Sequence, residues 1–210
     1  MSARLPIDPS TIGRTVKNRF AAVAYPRLYQ ARARIPRYSL QEQAKVFCRL
    51  AEDRGLGDLS LYYWYHAVDL GDGLVTPGTH DYRRSLDAFG FPEDMRGMSV
   101  LDVGSATGFF AFEFEKRGAD VVSVEVPSVE QMDRFPGQRP EQVVEKIAAM
   151  TAGQSSYTTG QFAAVFEQAS LADFYHYFLD GPFRVCHSAL GSQVKRCYAC
   201  LLYTSPSPRD

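Results

Sequence analysis

The sequence predicts an α/β protein built on a doubly wound parallel sheet, and three observations carry that expectation. Ser99 to Val126, SVLDVGSATGFFAFEFEKRGADVVSVEV, reads as an apolar strand, a glycine-bearing turn, a helix and a second strand ending on an acid. The first strand, with Val100, Leu101 and Val103, is the kind of apolar, β-branched run that parallel sheets bury beneath helices on both faces. Glu125 stands 21 positions beyond Gly104, close to the ~20-residue offset at which such units place an acid against ribose hydroxyls.

Each part of the unit has a physical reason. Asp102 falls near the carboxyl end of the first strand, where open α/β sheets bind their ligands. Gly104 and Gly108 bracket Ser105, Ala106 and Thr107 in a turn whose backbone N–H groups can face a ligand, because side chains there would block close approach. A helix is expected from about Phe109 to Arg117, left at Gly118, and the second strand runs from Asp120 to Val124. The loop lacks the GxGxxG spacing that a pyrophosphate needs, so it suits a ligand without phosphate. That spacing argues against the alternative of a nicotinamide-dependent oxidoreductase fragment.

Elsewhere the pattern is helical before this unit and mixed after it. A first helical stretch is expected over Thr11 to Arg34, interrupted near Pro26. Ser39-Leu40-Gln41-Glu42 is a capping box, and Leu40, Ala44, Phe47, Leu50 and Ala51 then supply an apolar face until Gly55. Tyr62 to Val68 alternates as a strand would, turned at Gly71-Asp72-Gly73, and Thr79 can cap a helix that reaches Phe89. Beyond Glu125, turn signals at Pro127, Pro136 and Pro140 precede helices over Glu141 to Met150, Gln161 to Phe178 and Pro182 to Ala189, then a third strand over Ser192 to Tyr198. The aromatic cluster Phe174, Tyr175, Tyr177, Phe178 and Phe183 reads as core packing of a helix, with a lid beside a substrate cleft as the other option.

Charge divides the chain where the total does not. Residues 1–50 carry a net charge of +8 and the remainder −9, with Phe20, Tyr25, Tyr29 and Tyr38 interleaved among the basic side chains. Such an arm could track a nucleic-acid backbone, which keeps open a nucleic-acid-binding module on a cofactor-type scaffold; the other reading is a solvated helix against an acidic body. No apolar run approaches the ~18 residues of a membrane span and no secretory block opens the chain, so a cytoplasmic location is expected. Cys186-His187, Cys197 and Cys200 imitate a zinc set, but Cys200 belongs to a terminal segment excluded below, and no metal is expected. Cys48, Cys186 and Cys197 read as reduced, mostly buried thiols.

The stretch LDVGSATG, followed by Glu125, resembles motif I and the acidic post-I position of class I S-adenosylmethionine-dependent methyltransferases. Trp64-Tyr65-His66-Ala67-Val68-Asp69-Leu70-Gly71-Asp72-Gly73, with Thr76-Pro77-Gly78 and Asp81-Tyr82-Arg83, resembles a bacterial subgroup described as tRNA wobble-uridine methyltransferase-like. Together these cover roughly Leu61 to Ala199. The resemblance implies the amino-terminal half of a Rossmann-like sheet, S-adenosylmethionine as cofactor, and a tRNA base or small metabolite as acceptor. It implies cofactor contacts at Asp102, Gly104, Ser105, Ala106, Gly108 and Glu125, with the loop cradling the methionine part and Glu125 meeting the ribose hydroxyls. Many class I members have glycine where this chain has Ala106.

The resemblance also places one wall of the pocket at Trp64, Tyr65, His66 and Asp69, and Tyr65, His66 and Arg83 are the expected substrate contacts. His66 would accept a proton near neutrality and Arg83 or Arg84 would meet a carboxylate, while packing and surface charge are the competing explanation for all of them. Cys200 to Asp210, CLLYTSPSPRD, resembles a translated sequencing adapter and is set aside. The organisation expected is therefore a basic, mainly helical extension over residues 1–58, a truncated methyltransferase domain over 59–199, and a non-native tail over 200–210. On that expectation the fragment holds strands 1, 2 and 3 but lacks those on the other side of strand 1, leaves strand 1 as an edge, and is inactive as an enzyme.

Overall fold

The computed structural model describes residues 37–152 and 169–199, which fall into two compact units: 84–91 in one, and 37–83 with 92–152 and 169–199 in the other. The expected helix over Thr11 to Arg34, the basic arm ahead of residue 37 and the terminal segment from Cys200 lie outside the described residues. In the smaller unit Leu86–Phe89 forms one 3₁₀ turn, ended by Gly90 in the left-handed region at φ 69°.

The larger unit is a mixed α/β structure around a parallel sheet of three strands: β1 (Ser99–Val103), β2 (Asp120–Glu125) and β3 (Lys195–Tyr198), in spatial order β1-β2-β3. This arrangement is consistent with part of a Rossmann-like fold. Val103 pairs with Val124 in the first ladder, while Ser123 pairs with Arg196 and Glu125 with Tyr198 in the second. Ahead of the sheet stands α1 (Arg37–Asp53); α2 (Phe109–Lys116) crosses from β1 to β2; α3 (Pro140–Ala152), α4 (Leu171–Tyr175) and α5 (Gly181–Leu190) lie between β2 and β3.

Side-chain alternation sorts the sheet's two faces. On one face Asp102, Ser123 and Arg196 lie beneath α2 and α5, whose Phe112 and Phe183 rings stack with centroids 5.3 Å apart. Phe109, Ala111, Phe112 and Phe183 are all essentially sealed from solvent there. On the opposite face Leu101 and Val103 are 61% and 49% exposed. The expectation that β1 is covered on both faces is therefore corrected: among the described residues β1 pairs only with β2, and an edge strand has one fewer neighbour to bury its outward side chains.

Two aromatic contacts hold the segment before β1 in place. Phe47 of α1 meets Trp64 edge-on at 5.2 Å, and Tyr63 stacks on Phe178 at 5.0 Å. Ala44, Phe47 and Ala51 are buried on the face of α1 that the apolar spacing indicates, although the helix starts at Arg37, two residues ahead of the expected capping Ser39. Tyr63, Val129 and Phe174 form a second core with Val144 and Ile147 of α3 packed against it, which makes the cluster after Glu125 core rather than lid.

Three sequence expectations are corrected by where backbone groups bond. Tyr62 to Val68 is not a strand of the sheet: its N–H groups turn to Tyr177 O, Thr107 Oγ1, Thr76 Oγ1 and His80 O, leaving only bridges at His66–His80 and Asp69–Val75. Thr79 caps no helix, because its N–H donates to Trp64 O at 3.1 Å and its hydroxyl also turns to that backbone. Of the helix expected over Gln161 to Phe178, residues 161–168 lie outside the described residues; within the rest, α4 opens only at a capping box of Ser170 and Asp173 and passes through a wider π-type turn at His176–Asp180 into α5. Cys48 and Cys186 are withdrawn from solvent to differing degrees, but Cys197, expected to be buried, is exposed because β3's outward side faces solvent. No helix among the described residues is long and apolar enough to cross a membrane.

Candidate functional site

The loop Gly104 to Gly108 leaves the carboxyl end of β1 and leads into α2, beside the carboxyl end of β2. Gly104 takes φ 69° and Gly108 φ 90°, backbone that side chains avoid. Nothing lies within 4 Å of where a Cβ on Gly104 would stand, whereas one on Gly108 would come within 2.6 Å of Phe112 and 2.8 Å of Phe183. Gly104 is thus required by conformation alone and Gly108 by conformation and packing. Ala106, at φ 48°, holds the left-handed region without that freedom.

Glu125 closes the loop from β2. Its Oε2 accepts the Ala106 N–H at 3.0 Å and its Oε1 accepts the Val126 N–H at 3.1 Å, in a site where the residue is only 8% exposed. A carboxylate offers about four acceptor positions, so two remain for a ligand's hydroxyls. Gly104 N–H donates to Val124 O at 2.8 Å, which ties the loop's start to the same strand. Asp102 sits one strand over with Oδ2 buried and unpartnered; burial raises its carboxyl, the Ala111 N–H and the charge of Arg196 oppose the rise, and Glu125 adds to it.

Beneath the loop lies a polar cluster that pattern reading did not single out. Ser105 Oγ is 2.7 Å from Ser123 Oγ, and Arg196 Nη1 donates to both, at 2.5 and 3.0 Å. The guanidinium rests 4.0 Å from the centre of the Phe183 ring, and Nη2 is 3.9 Å from Glu125 Oε2. The Tyr175 hydroxyl donates to Val126 O at 2.6 Å, just beyond the acid. The only signal for Arg196 in the sequence is its alternation with Tyr198, and this points inward only once the register with Ser123 is known.

Thr107 joins the loop to the upstream segment: its Oγ1 accepts both the Tyr65 and the His66 N–H at 3.2 Å. The backbone of Tyr65 and His66 is therefore tied to the Gly104–Gly108 loop. Tyr65 is partly exposed, its ring 4.5 Å from that of His80. His66 is 6% exposed, lies among the rings of Tyr65, Tyr82, Phe109 and Phe110, and keeps Nδ1 buried without a partner. Burial, then the neighbouring His80, lowers its imidazole from 6.5 to about 3, so it stays neutral where titration was expected. Arg83 donates through Nε and Nη2 to Asp81 in a fork at 2.9 and 2.8 Å.

With this geometry in hand, comparison with known proteins finds distant similarity to magnesium-protoporphyrin O-methyltransferase of Rhodobacter capsulatus, 31% identical over 91 residues. That stretch is 43% of this chain and spans 40% of the relative's length. No family model matches the chain. No solved structure matches it either.

Replacing the two glycines should separate strain from packing. Gly104→Ala is expected to cost about 1–2 kcal/mol of unfolding free energy and Gly108→Ala on the order of 3 kcal/mol or more, measured by denaturant titration. Equal losses would contradict the packing assigned to Gly108.

His66 makes a pH-dependent contribution with a definite sign. Between pH 6.5 and about 3 the unfolded chain binds a proton at His66 that the folded chain excludes. The contribution is therefore complete above pH 6.5 and drains away on acidification. His66→Gln should flatten the stability profile across that window relative to wild type, and parallel profiles would refute it.

Proposed function

We propose that this chain is part of an S-adenosylmethionine-dependent methyltransferase, with the Gly104–Gly108 loop holding the methionine portion of the cofactor and Glu125 its ribose hydroxyls. The observation that carries this reading is the Glu125 carboxylate, buried at the end of β2 and drawn against the loop through Ala106 N–H. Distant similarity to an O-methyltransferase supports it. So does the chemistry of the donor set, in which Asp102 Oδ2 is a buried acceptor without a partner beside a turn of left-handed backbone.

The cofactor, when bound, supplies an electrophilic methyl group on a sulfonium. What this chain's residues contribute is placement. Glu125 fixes the ribose end through its remaining acceptor positions, and Thr107 keeps Tyr65 and His66 at a set distance from the loop. With its imidazole held neutral, His66 orients an acceptor group by a hydrogen bond at Nδ1 rather than storing its proton. Tyr65 supplies a half-open aromatic face for a planar acceptor.

Calorimetric titration with S-adenosylmethionine and S-adenosylhomocysteine tests the assignment. Glu125→Ala should weaken binding by about 1.5–3 kcal/mol, the worth of a charge-assisted hydrogen bond. Unchanged affinity in the variant would sink the ribose assignment, and no binding by the wild-type chain would sink the cofactor reading.

The acceptor is a tRNA base or a small metabolite, and the basic character of residues 1–50 favours the RNA. Deleting residues 1–38 should then weaken RNA binding and flatten its salt dependence. RNA affinity that ignores the deletion would move the acceptor to a small metabolite.

A further inference from the structure

Resting on the cofactor site proposed above, we infer that Arg196 is the positioning residue of that site: a buried cation that ties Ser105 of the loop to Ser123 of β2 from beneath and stands within ion-pair reach of Glu125 in the Asp102–Glu125 acid pair. The side chain is 9% exposed and sits on the covered face of the sheet, opposite Ser123 in the parallel ladder. It lies below the loop, one layer away from where a ligand would rest, and acts through the side chains that would touch it.

Three features set Arg196 apart from a surface ion pair. Its Nη1 spans Ser105 of the loop and Ser123 of β2, so one guanidinium ties the loop to the strand that carries the acid. Its plane is seated 4.0 Å over Phe183, which fixes its height beneath the loop. Its Nε and Nη2 are buried donors without a partner among the described residues, and Nη2 stands 3.9 Å from Glu125 Oε2, too far for a direct hydrogen bond. The donors are thus positioned for a carboxylate they do not fully engage, and a small shift of Glu125 toward a ligand would leave it within the guanidinium's field.

Charge balance says what kind of ligand this favours. Glu125 Oε2 stands 3.9 Å from the guanidinium, and Asp102, whose carboxyl is raised by burial and lowered by Arg196, shares the same face of the sheet, an acid-lined site suited to a ligand carrying positive charge, as an amino group and a sulfonium do. Without Arg196 the charge of Glu125 would act on the Asp102 carboxyl with no opposing cation. The other titratable and charged groups packed around the guanidinium are Tyr175 and Tyr198, with Asp180 bound by the Tyr198 hydroxyl at 2.6 Å and by Arg184 Nε at 2.5 Å. That second pair is largely self-compensated, so Arg196 remains the cation available to Asp102 and Glu125.

The test uses the 210-residue chain with Arg196→Gln, Arg196→Lys and, as a control, Lys195→Gln at the exposed neighbour. Asp102 is titrated by carboxyl-carbon NMR without cofactor, and S-adenosylhomocysteine affinity is measured by calorimetry. Arg196→Gln should move the Asp102 titration upward and weaken binding roughly tenfold or more, as loss of a charge-assisted contact would. Arg196→Lys should restore the titration, while shifting the Ser105 and Ala106 amide signals because a lysine cannot bridge both serines. Lys195→Gln should change none of these. An unmoved Asp102 titration in folded Arg196→Gln, or unmoved loop amides in Arg196→Lys where the glutamine variant does not fold, would overturn the role of Arg196. Wild-type chain that binds no cofactor would instead refute the reading on which it rests, with the Asp102 titration still deciding the role of Arg196 in holding the acids.

Discussion

Parallel pairing of β2 with β3 in the register Ser123 to Arg196 is the constraint from which the rest of the candidate site follows. It sends a guanidinium inward, under α5, where only a hydrogen-bonded or paired charge is tolerable. Ser105 and Ser123 take two of its contacts and Phe183 a third, and Glu125 on the same face of β2 supplies the counter-charge. A slip of one residue would turn Arg196 outward and bring Lys195 or Cys197 to that position. The loop above the sheet would then lose its support from below.

The same loop is held from the front by a smaller device. Thr107 is 2% exposed, and its hydroxyl receives two successive backbone N–H groups, from Tyr65 and His66. Those groups have no ladder partner in an irregular segment, and a buried amide without a bond is costly. A loop threonine thus satisfies the backbone of a segment some forty residues away and sets the distance between the cofactor-type turn and a neutral, buried histidine.

Much of the unit from Ser99 to Glu125 was legible because its signals are local. An apolar β-branched run, glycines where φ is positive, an aromatic helix face and an acid after the next strand each depend on near neighbours, and their boundaries came within a residue of those observed. The turn at Gly71-Asp72-Gly73 is equally local and is present, whereas Tyr62 to Val68 departs from the strand its alternation suggests for the opposite reason. Alternation there reflects aromatic side chains placed against Phe47, Phe178 and Phe109, while the backbone is satisfied by threonine hydroxyls rather than by a strand. Periodicity reports which side chains are buried, and not what bonds the main chain.

By itself, the sequence determined the order of strand, turn, helix and strand, the glycine positions of the loop and the acid that faces it, because hydrophobic period and backbone freedom are written in consecutive residues. Only the tertiary structure decided that Arg196 lies beneath that loop, that His66 stays neutral among the rings of Tyr65, His80, Tyr82, Phe109 and Phe110, and that Leu101 and Val103 lie open to solvent on one face of β1. Each of these depends on strand register or on desolvation by residues distant in the chain. Both are properties of packing, and neither has a signature shorter than the fold.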